Sequence, residues 1–213
     1  MVKTLYLIRH GETIDSNERR YKGHIDVPLS EEGIRQMIGL SRYITMDCPN
    51  GLDAIYCSDL TRAVKSAEVI AEPFGIKPII LPDLRERNFG KWEGMTFDEI
   101  QEKWPHAFKS WAEDPLRHAP PDGEGTLELR DRVIGALEKI LNRTSFRFQI
   151  SNLKSQISDI AIVSHGGVNR IIVCHLLGIP LENLFRIEQD YGCLNVIEFY
   201  DDYPVVRLLN YRV

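Results

Sequence analysis

Two short apolar runs, Leu5-Tyr6-Leu7-Ile8 and Ile160-Ala161-Ile162-Val163, each break off at a polar residue followed by histidine and glycine. The first continues as Arg9-His10-Gly11-Glu12-Thr13. The second continues as Ser164-His165-Gly166-Gly167 and then as the helical pattern Val168-Asn169-Arg170-Ile171-Ile172-Val173. A strand, a tight glycine turn and a helix in succession form the crossover unit of α/β folds. In such sheets ligands bind outside the carboxyl ends of the strands. Two histidines at two strand ends therefore imply one shared site. An isolated Arg-His pair after an edge strand would more often be an ordinary surface feature; the repetition argues against that.

The remaining elements fit the same scheme. Strand signals recur at Lys3–Ile8, Asp53–Cys57, Pro78–Leu81, Ile160–Ser164, Leu194–Tyr200 and Val205–Leu209. Helical patterns lie between them: Ser30 caps a run with Ile34, Met37, Ile38 and Leu40; Ser58-Asp59 caps Leu60–Ala71, which stops at Pro73; Thr126–Leu141 carries Leu129, Val133, Leu137 and Ile140 at helical spacing. The last two strands are separated only by Asp201-Asp202-Tyr203-Pro204 and read as a hairpin. The expected fold is an α/β class, three-layer α/β/α sandwich with a mostly parallel, mixed central sheet. Residues 82–125 hold all three tryptophans without a clear strand, and read as short helices and loops forming a small helical cap. Asn142–Ser158 is polar and basic, and reads as an elongated surface connection.

A chain of 213 residues suffices for one well-buried domain, residues 1–213, with the cap inserted at about 82–125. The net charge of −5, with basic residues scattered, argues against a nucleic-acid-binding surface. No apolar stretch approaches the length of a membrane span. The four cysteines form no CxxC pair and no metal-ligand spacing. The default compartment is the cytoplasm.

The chemistry follows from the candidates at the strand ends. Arg9 can grip a phosphate with parallel hydrogen bonds, and His10 beside it can serve as nucleophile. Arg62, one turn into the helix after the second strand, can reach the same anion with help from the helix N-terminus. Glu86, in Leu84-Arg85-Glu86-Arg87-Asn88-Phe89-Gly90, has a bland reading as a loop ion pair with its flanking arginines. Beside a bound phosphate, though, a carboxyl holds its proton more tightly, as a general acid requires. No Walker loop, H-E-x-x-H or acidic cluster for magnesium occurs. Phosphoryl transfer with neither metal nor cofactor is the expected chemistry.

Taken together, Arg9–Thr13, Ser58-Asp59-Leu60-x-Arg62-Ala63, Leu84-Arg85-Glu86-x-x-Phe89-Gly90-x-Trp92-Glu93-Gly94 and Ser164–Gly167 resemble the histidine phosphatase superfamily, phosphoglycerate-mutase-like branch. The resemblance covers nearly the whole chain apart from Asn142–Ser158. It implies that His10 takes the phosphoryl group, that Arg9, Arg62 and His165 line the phosphate pocket, and that Glu86 is the proton donor. Gly23-His24 falls on a family loop beside the site, and Gly166 follows the second histidine. The family asparagine that contacts phosphate is replaced by Ser16, for which Ser16 itself or Asn17 is the candidate substitute. Lys22 also departs from the family pattern.

The resemblance further implies a small-molecule phosphate ester as substrate. In the mutases an asparagine-lysine pair stands two residues after the glycine matching Gly94, and its lysine helps bind the substrate carboxylate; here the pair is Thr96-Phe97, which argues against mutase activity. Pro120–Gly125, Phe185–Asp190 and Leu208–Asn210 look like a subgroup that acts on a nucleotide-like monoester. Trp92, Phe97 and Trp111 are the candidates for stacking on its base. The competing readings are a broad-specificity phosphatase and a non-catalytic phospho-ligand-binding module. The module is disfavoured because His10, Arg62, Glu86 and His165 are all present.

Overall fold

The structure is a computed structural model that describes residues 2–150, 158–201 and 203–213. Six strands form one sheet: β1 (Val2–Arg9), β2 (Ala54–Cys57), β3 (Ile79–Ile80), β4 (Ser158–Ser164), β5 (Leu194–Tyr200) and β6 (Tyr203–Tyr211). Their spatial order is β3-β2-β4-β1-β5-β6. The first four are mutually parallel, and β5 and β6 run antiparallel as the expected hairpin. The mixed, mostly parallel sheet of a three-layer sandwich is thus what forms.

The alternation along β1 explains the layering. Leu5 and Leu7 face a core shared with helices α5 (Thr126–Ile150) and α6 (Gly166–Leu177), whereas Tyr6 and Ile8 face a core shared with α1 (Glu31–Asp47) and α2 (Thr61–Ala71). In β4, Ile160 and Ile162 take the first side and Ala161 and Val163 the second. Successive side chains of a strand point to opposite faces, so an uninterrupted apolar run supplies both cores. All eight residues are fully buried or nearly so.

Ser30 caps α1 as expected, accepting the Gly33 N–H at 3.0 Å. The start of α2 departs from expectation. Neither Ser58 nor Asp59 caps it; the carboxylate of Asp26, 35 residues upstream, accepts the Thr61 N–H at 2.8 Å and its hydroxyl at 2.5 Å. Asp59 is instead held by the Arg85 guanidinium through two bonds of 2.7 and 2.5 Å. The Asn142–Ser158 connection also needs correction: α5 continues nine residues beyond Leu141, to Ile150. Residues 151–157 of that segment lie outside the described residues.

Between β3 and α5 lie two short helices, α3 (Phe97–Lys103) and α4 (Pro105–Glu113). A capping box at Thr96 and Glu99 starts α3, and Pro105 sits at the first position of α4. Trp92, Ile100, Phe108 and Trp111 form a separate buried cluster there. Trp92 is fully buried, with Trp111 edge-on at a ring separation of 5.5 Å. That placement removes Trp92 from the stacking candidates: its ring is the centre of a core and lines neither of the cavities described below. The four cysteines are free and buried, and no helix among the described residues is long and apolar enough to cross a membrane.

Candidate active site

Because β1 and β4 are adjacent and parallel, their carboxyl ends coincide. The register pairs Arg9 with Ser164, and the His10 N–H donates to the Ser164 carbonyl at 2.9 Å. The two imidazoles stand edge-to-face, 5.1 Å between centroids. A cavity of about 420 Å³ opens above them. Its floor is Arg9, His10, Arg62 and His165; Glu86, Phe89 and Tyr191 line its wall; Ser16, Arg19, Arg20, Lys22 and Phe97 are on the approach. Five cationic side chains and one carboxylate line it, in a chain whose net charge is −5.

The tautomers of the two histidines follow from their partners. His10 Nδ1 lies 2.7 Å from the Gly11 carbonyl, which can only accept. The ring proton is therefore on Nδ1, and Nε2 keeps its lone pair. For His165, Ser58 Oγ lies 2.8 Å from Nε2 and also accepts the Leu60 N–H at 3.3 Å. Ser58 is fully buried, and His165 Nε2 is the one acceptor for its hydroxyl proton among the described residues. Nε2 of His165 thus accepts, and its ring proton sits on Nδ1. That atom is buried with no partner among the described residues. Both rings are held neutral. Burial pushes the His10 pKa well below its ordinary value, reinforced by Arg62 and Arg9; burial, then His10 and the same arginines, does so for His165.

The arginines are fixed by main-chain carbonyls, and among the described residues no carboxylate forms an ion pair with either. Arg62, 2 % exposed, donates to Ile25 O at 2.8 Å and to Gly23 O at 2.7 Å. Gly23 adopts a φ of +48°, and a Cβ there would press on the Glu93 carboxylate, so this loop geometry depends on glycine. Arg9 donates to Gln189 O at 2.5 Å and stacks on Tyr191, its guanidinium carbon 3.9 Å from the ring centre. Arg9 Nε is buried without a partner among the described residues. Burial, with Arg62 second, lowers the Lys22 pKa; Lys22 reaches back to Thr13 Oγ1 and to Ile14 O at 3.0 Å. Buried donors lacking acceptors are costly, and an anion placed among them relieves that cost.

Glu86 makes no ion pair with its sequence neighbours. Arg85 is taken by Asp59, and Arg87 donates to Thr126 Oγ1 at 2.9 Å. Glu86 instead accepts two main-chain amides, Arg87 N at 2.8 Å and Gly167 N at 3.0 Å. A Cβ on Gly167 would collide with Glu86 Oε1, so a bare glycine at this turn of α6 lets the carboxylate dock.

Of the other sequence candidates, Ser16 lines the approach, while Asn17 is exposed and outside the lining. Gly166 is buried at the first position of α6 beside Arg9 and does not line the cavity. Several residues here were not singled out from the sequence. Tyr191 braces both Arg9 and His10. The buried amides of Asn169, Gln189 and Asn195 bond one another at 2.8–3.1 Å and fix the carbonyl that holds Arg9. Arg20 is tied to Glu18 and Glu99. For Gln189 and Tyr191 the sequence signal is the polar stretch after Phe185; Arg20, Asn169 and Asn195 carry none. Among the described residues no group of three or more His, Cys, Asp or Glu side chains is arranged to hold a metal ion.

Strand-end histidines above a mixed sheet, with arginines left charged around them, define an α/β fold with a built anion site. Residues 5–212 match the family model of the Histidine phosphatase superfamily (branch 1). The chain belongs to this superfamily of phosphatases. It is 31% identical over 208 residues to the adenosylcobalamin/alpha-ribazole phosphatase of Escherichia coli K12, covering 98% of this chain and 96% of that protein. It is also 31% identical over 210 residues to phosphoserine phosphatase 1 of Hydrogenobacter thermophilus, covering 99% and 92%. The crystal structure of the alpha-ribazole phosphatase from Shigella flexneri superposes with a TM-score of 0.82 at 30% identity, over 98% of this chain and 96% of that one.

Proposed function

We propose that this protein is a metal-independent, cytoplasmic phosphomonoesterase that works through a phosphohistidine, and that its substrate is alpha-ribazole 5′-phosphate. The observation that carries the chemistry is the pairing of a lone pair at His10 Nε2 with unpartnered donors on Arg9 and His165. His10 Nε2 attacks phosphorus as the bond to the ester oxygen breaks. Glu86 gives that oxygen its proton, and Arg9, Arg62 and His165 Nδ1–H hold the three equatorial oxygens. Water then attacks phosphorus, yields its proton to Glu86, and the N–P bond breaks to release phosphate. Ser16 and Gly23 complete the phosphate loop, and residues 82–125 cap a single catalytic domain.

The substrate reading is supported by the similarity to alpha-ribazole phosphatases and by Phe97. Phe97 lies on the cavity approach with nearly half its surface exposed, and it offers an apolar ring where a carboxylate-binding lysine would be needed for phosphoglycerate. The similarity to a phosphoserine phosphatase favours a second reading, an enzyme for a smaller or broader range of esters.

Rapid quench with labelled substrate tests both levels. The expected result is an acid-labile, base-stable phosphoenzyme that forms in the presence of chelator and is absent from His10→Ala. kcat/KM is expected to be higher for alpha-ribazole 5′-phosphate than for phosphoserine, AMP or 3-phosphoglycerate. Near-normal turnover by His10→Ala would overturn the nucleophile, and a flat profile would overturn the substrate.

A further inference from the structure

A second cavity, of about 250 Å³, lies behind Glu86. It shares Tyr21, Glu86 and Phe89 with the phosphate cavity, and then runs between the cap and the turn that follows α6. Two edge-to-face aromatic pairs line it: Tyr21 with Phe89 at 4.9 Å, and Trp111 with Phe185 at 5.7 Å. Its polar lining is mostly donors. Arg87 is 3 % exposed, and its Nη1 has no partner among the described residues; neither does Trp111 Nε1. Arg170 has given its Nε–H to Ile187 O at 2.7 Å. The one carboxylate, Glu86, already accepts two amides.

We infer that this cavity receives the organic part of the ester, and that it fits a flat heteroaromatic ring with acceptor atoms on its edge. The inference deepens the substrate reading above and rests on it. The acid that protonates the leaving oxygen must touch that oxygen. Glu86 is common to both cavities, so an ester with its phosphate in the first has its bridging oxygen at their junction and its remaining atoms directed into the second. Aromatic walls with a few donors are the usual composition of a pocket that grips a ring by its faces and reads its edge. Arg9, His10, Arg62 and His165 contact only what all monoesters share, so they cannot discriminate among them. Beyond Phe97 on the approach, discrimination falls to Phe185, Trp111, Arg87 and Arg170.

Phe185 is 52 % exposed, so Phe185→Ala tests the cavity with little effect on the core. The reading is the ratio of kcat/KM for alpha-ribazole 5′-phosphate to that for ethyl phosphate. Loss of the ring is expected to lower this ratio about tenfold, through KM, a size in keeping with base–aromatic stacking. Trp111→Phe, which keeps a six-membered aromatic ring but removes the pyrrole part with its N–H, is expected to lower it by a smaller factor. Independently, the dephosphorylated nucleoside should bind the native enzyme in saturating orthophosphate, as followed by tryptophan fluorescence, and bind Phe185→Ala about tenfold more weakly. An unchanged ratio in a native enzyme that prefers alpha-ribazole 5′-phosphate would overturn the cavity assignment alone. A flat native profile with Phe185-dependent nucleoside binding would overturn the substrate reading and support the cavity. A Phe185 effect confined to phosphoserine would overturn the heteroaromatic occupant.

Discussion

Glu86 stands between two arginines in the chain and pairs with neither, because each of them is claimed from elsewhere in the fold. Asp59 takes Arg85, Thr126 takes Arg87, and the carboxylate rests on two main-chain amides, that of Arg87 itself and that of Gly167 at the mouth of α6. Local sequence carries the charge pattern but not these partners. It did carry the histidines, since a polar residue that ends a fully buried strand is conspicuous against the apolar run. The tautomer of His165 was beyond it, because that depends on Ser58, 107 residues away. At this scale the proposed acid role has a direct check. Glu86→Gln keeps the shape and removes the proton, so alkyl phosphate hydrolysis is expected to fall about 10²- to 10⁴-fold. Nitrophenyl phosphate, whose leaving group needs no proton, is expected to lose much less. Equal losses in steady-state assays would take Glu86 out of that role.

The start of α2 shows how one loop serves an element and the site at once. Asp26 caps the helix while the carbonyls of Gly23 and Ile25, in the same loop, hold Arg62. Ser58-Asp59 has the composition of a cap, which is why sequence points there; the fold gives the position to a carboxylate on the long loop between β1 and α1. Removing an N-cap side chain costs about 0.5–2 kcal/mol. Asp26→Ala is therefore expected to lose that much in urea denaturation. It is also expected to weaken orthophosphate inhibition, since the loop that orients Arg62 loses its anchor. A destabilised variant with native phosphate affinity would separate the two roles. The extension of α5 to Ile150 was hidden for a different reason: the helical spacing of apolar residues stops at Leu141, while the helix continues to Ile150.

At the scale of the molecule, sheet order and layering were legible because two complete strands alternate between two cores, while the cap's internal packing was not, because tryptophans at irregular spacing give no period. The two neutral histidines give the fold a pH signature. Their folded pKa values lie below 6.5, the ordinary value, so the unfolded chain binds more protons as pH falls through that value. Stability is therefore expected to be lost below about pH 6.5, each histidine adding up to about 1.4 kcal/mol per pH unit, with no contribution above it. Urea titrations at pH 7 and 5 should show the loss, and His165→Asn should reduce it; an unchanged slope would mean that ring is charged in the fold. The position of β1 has one more consequence. It is flanked by β4 and β5, buried on both faces, and its hydrogen bonding continues through His10 N–H to Ser164, so this backbone opens only when the whole sheet does. The segment around Trp92 and Trp111 is held by a cluster of its own. The strand ends that meet the phosphate and Trp111, which meets the rest of the ester, thus belong to separately packed parts of the protein, and substitutions around Trp111 are expected to retune the second while the first stays closed.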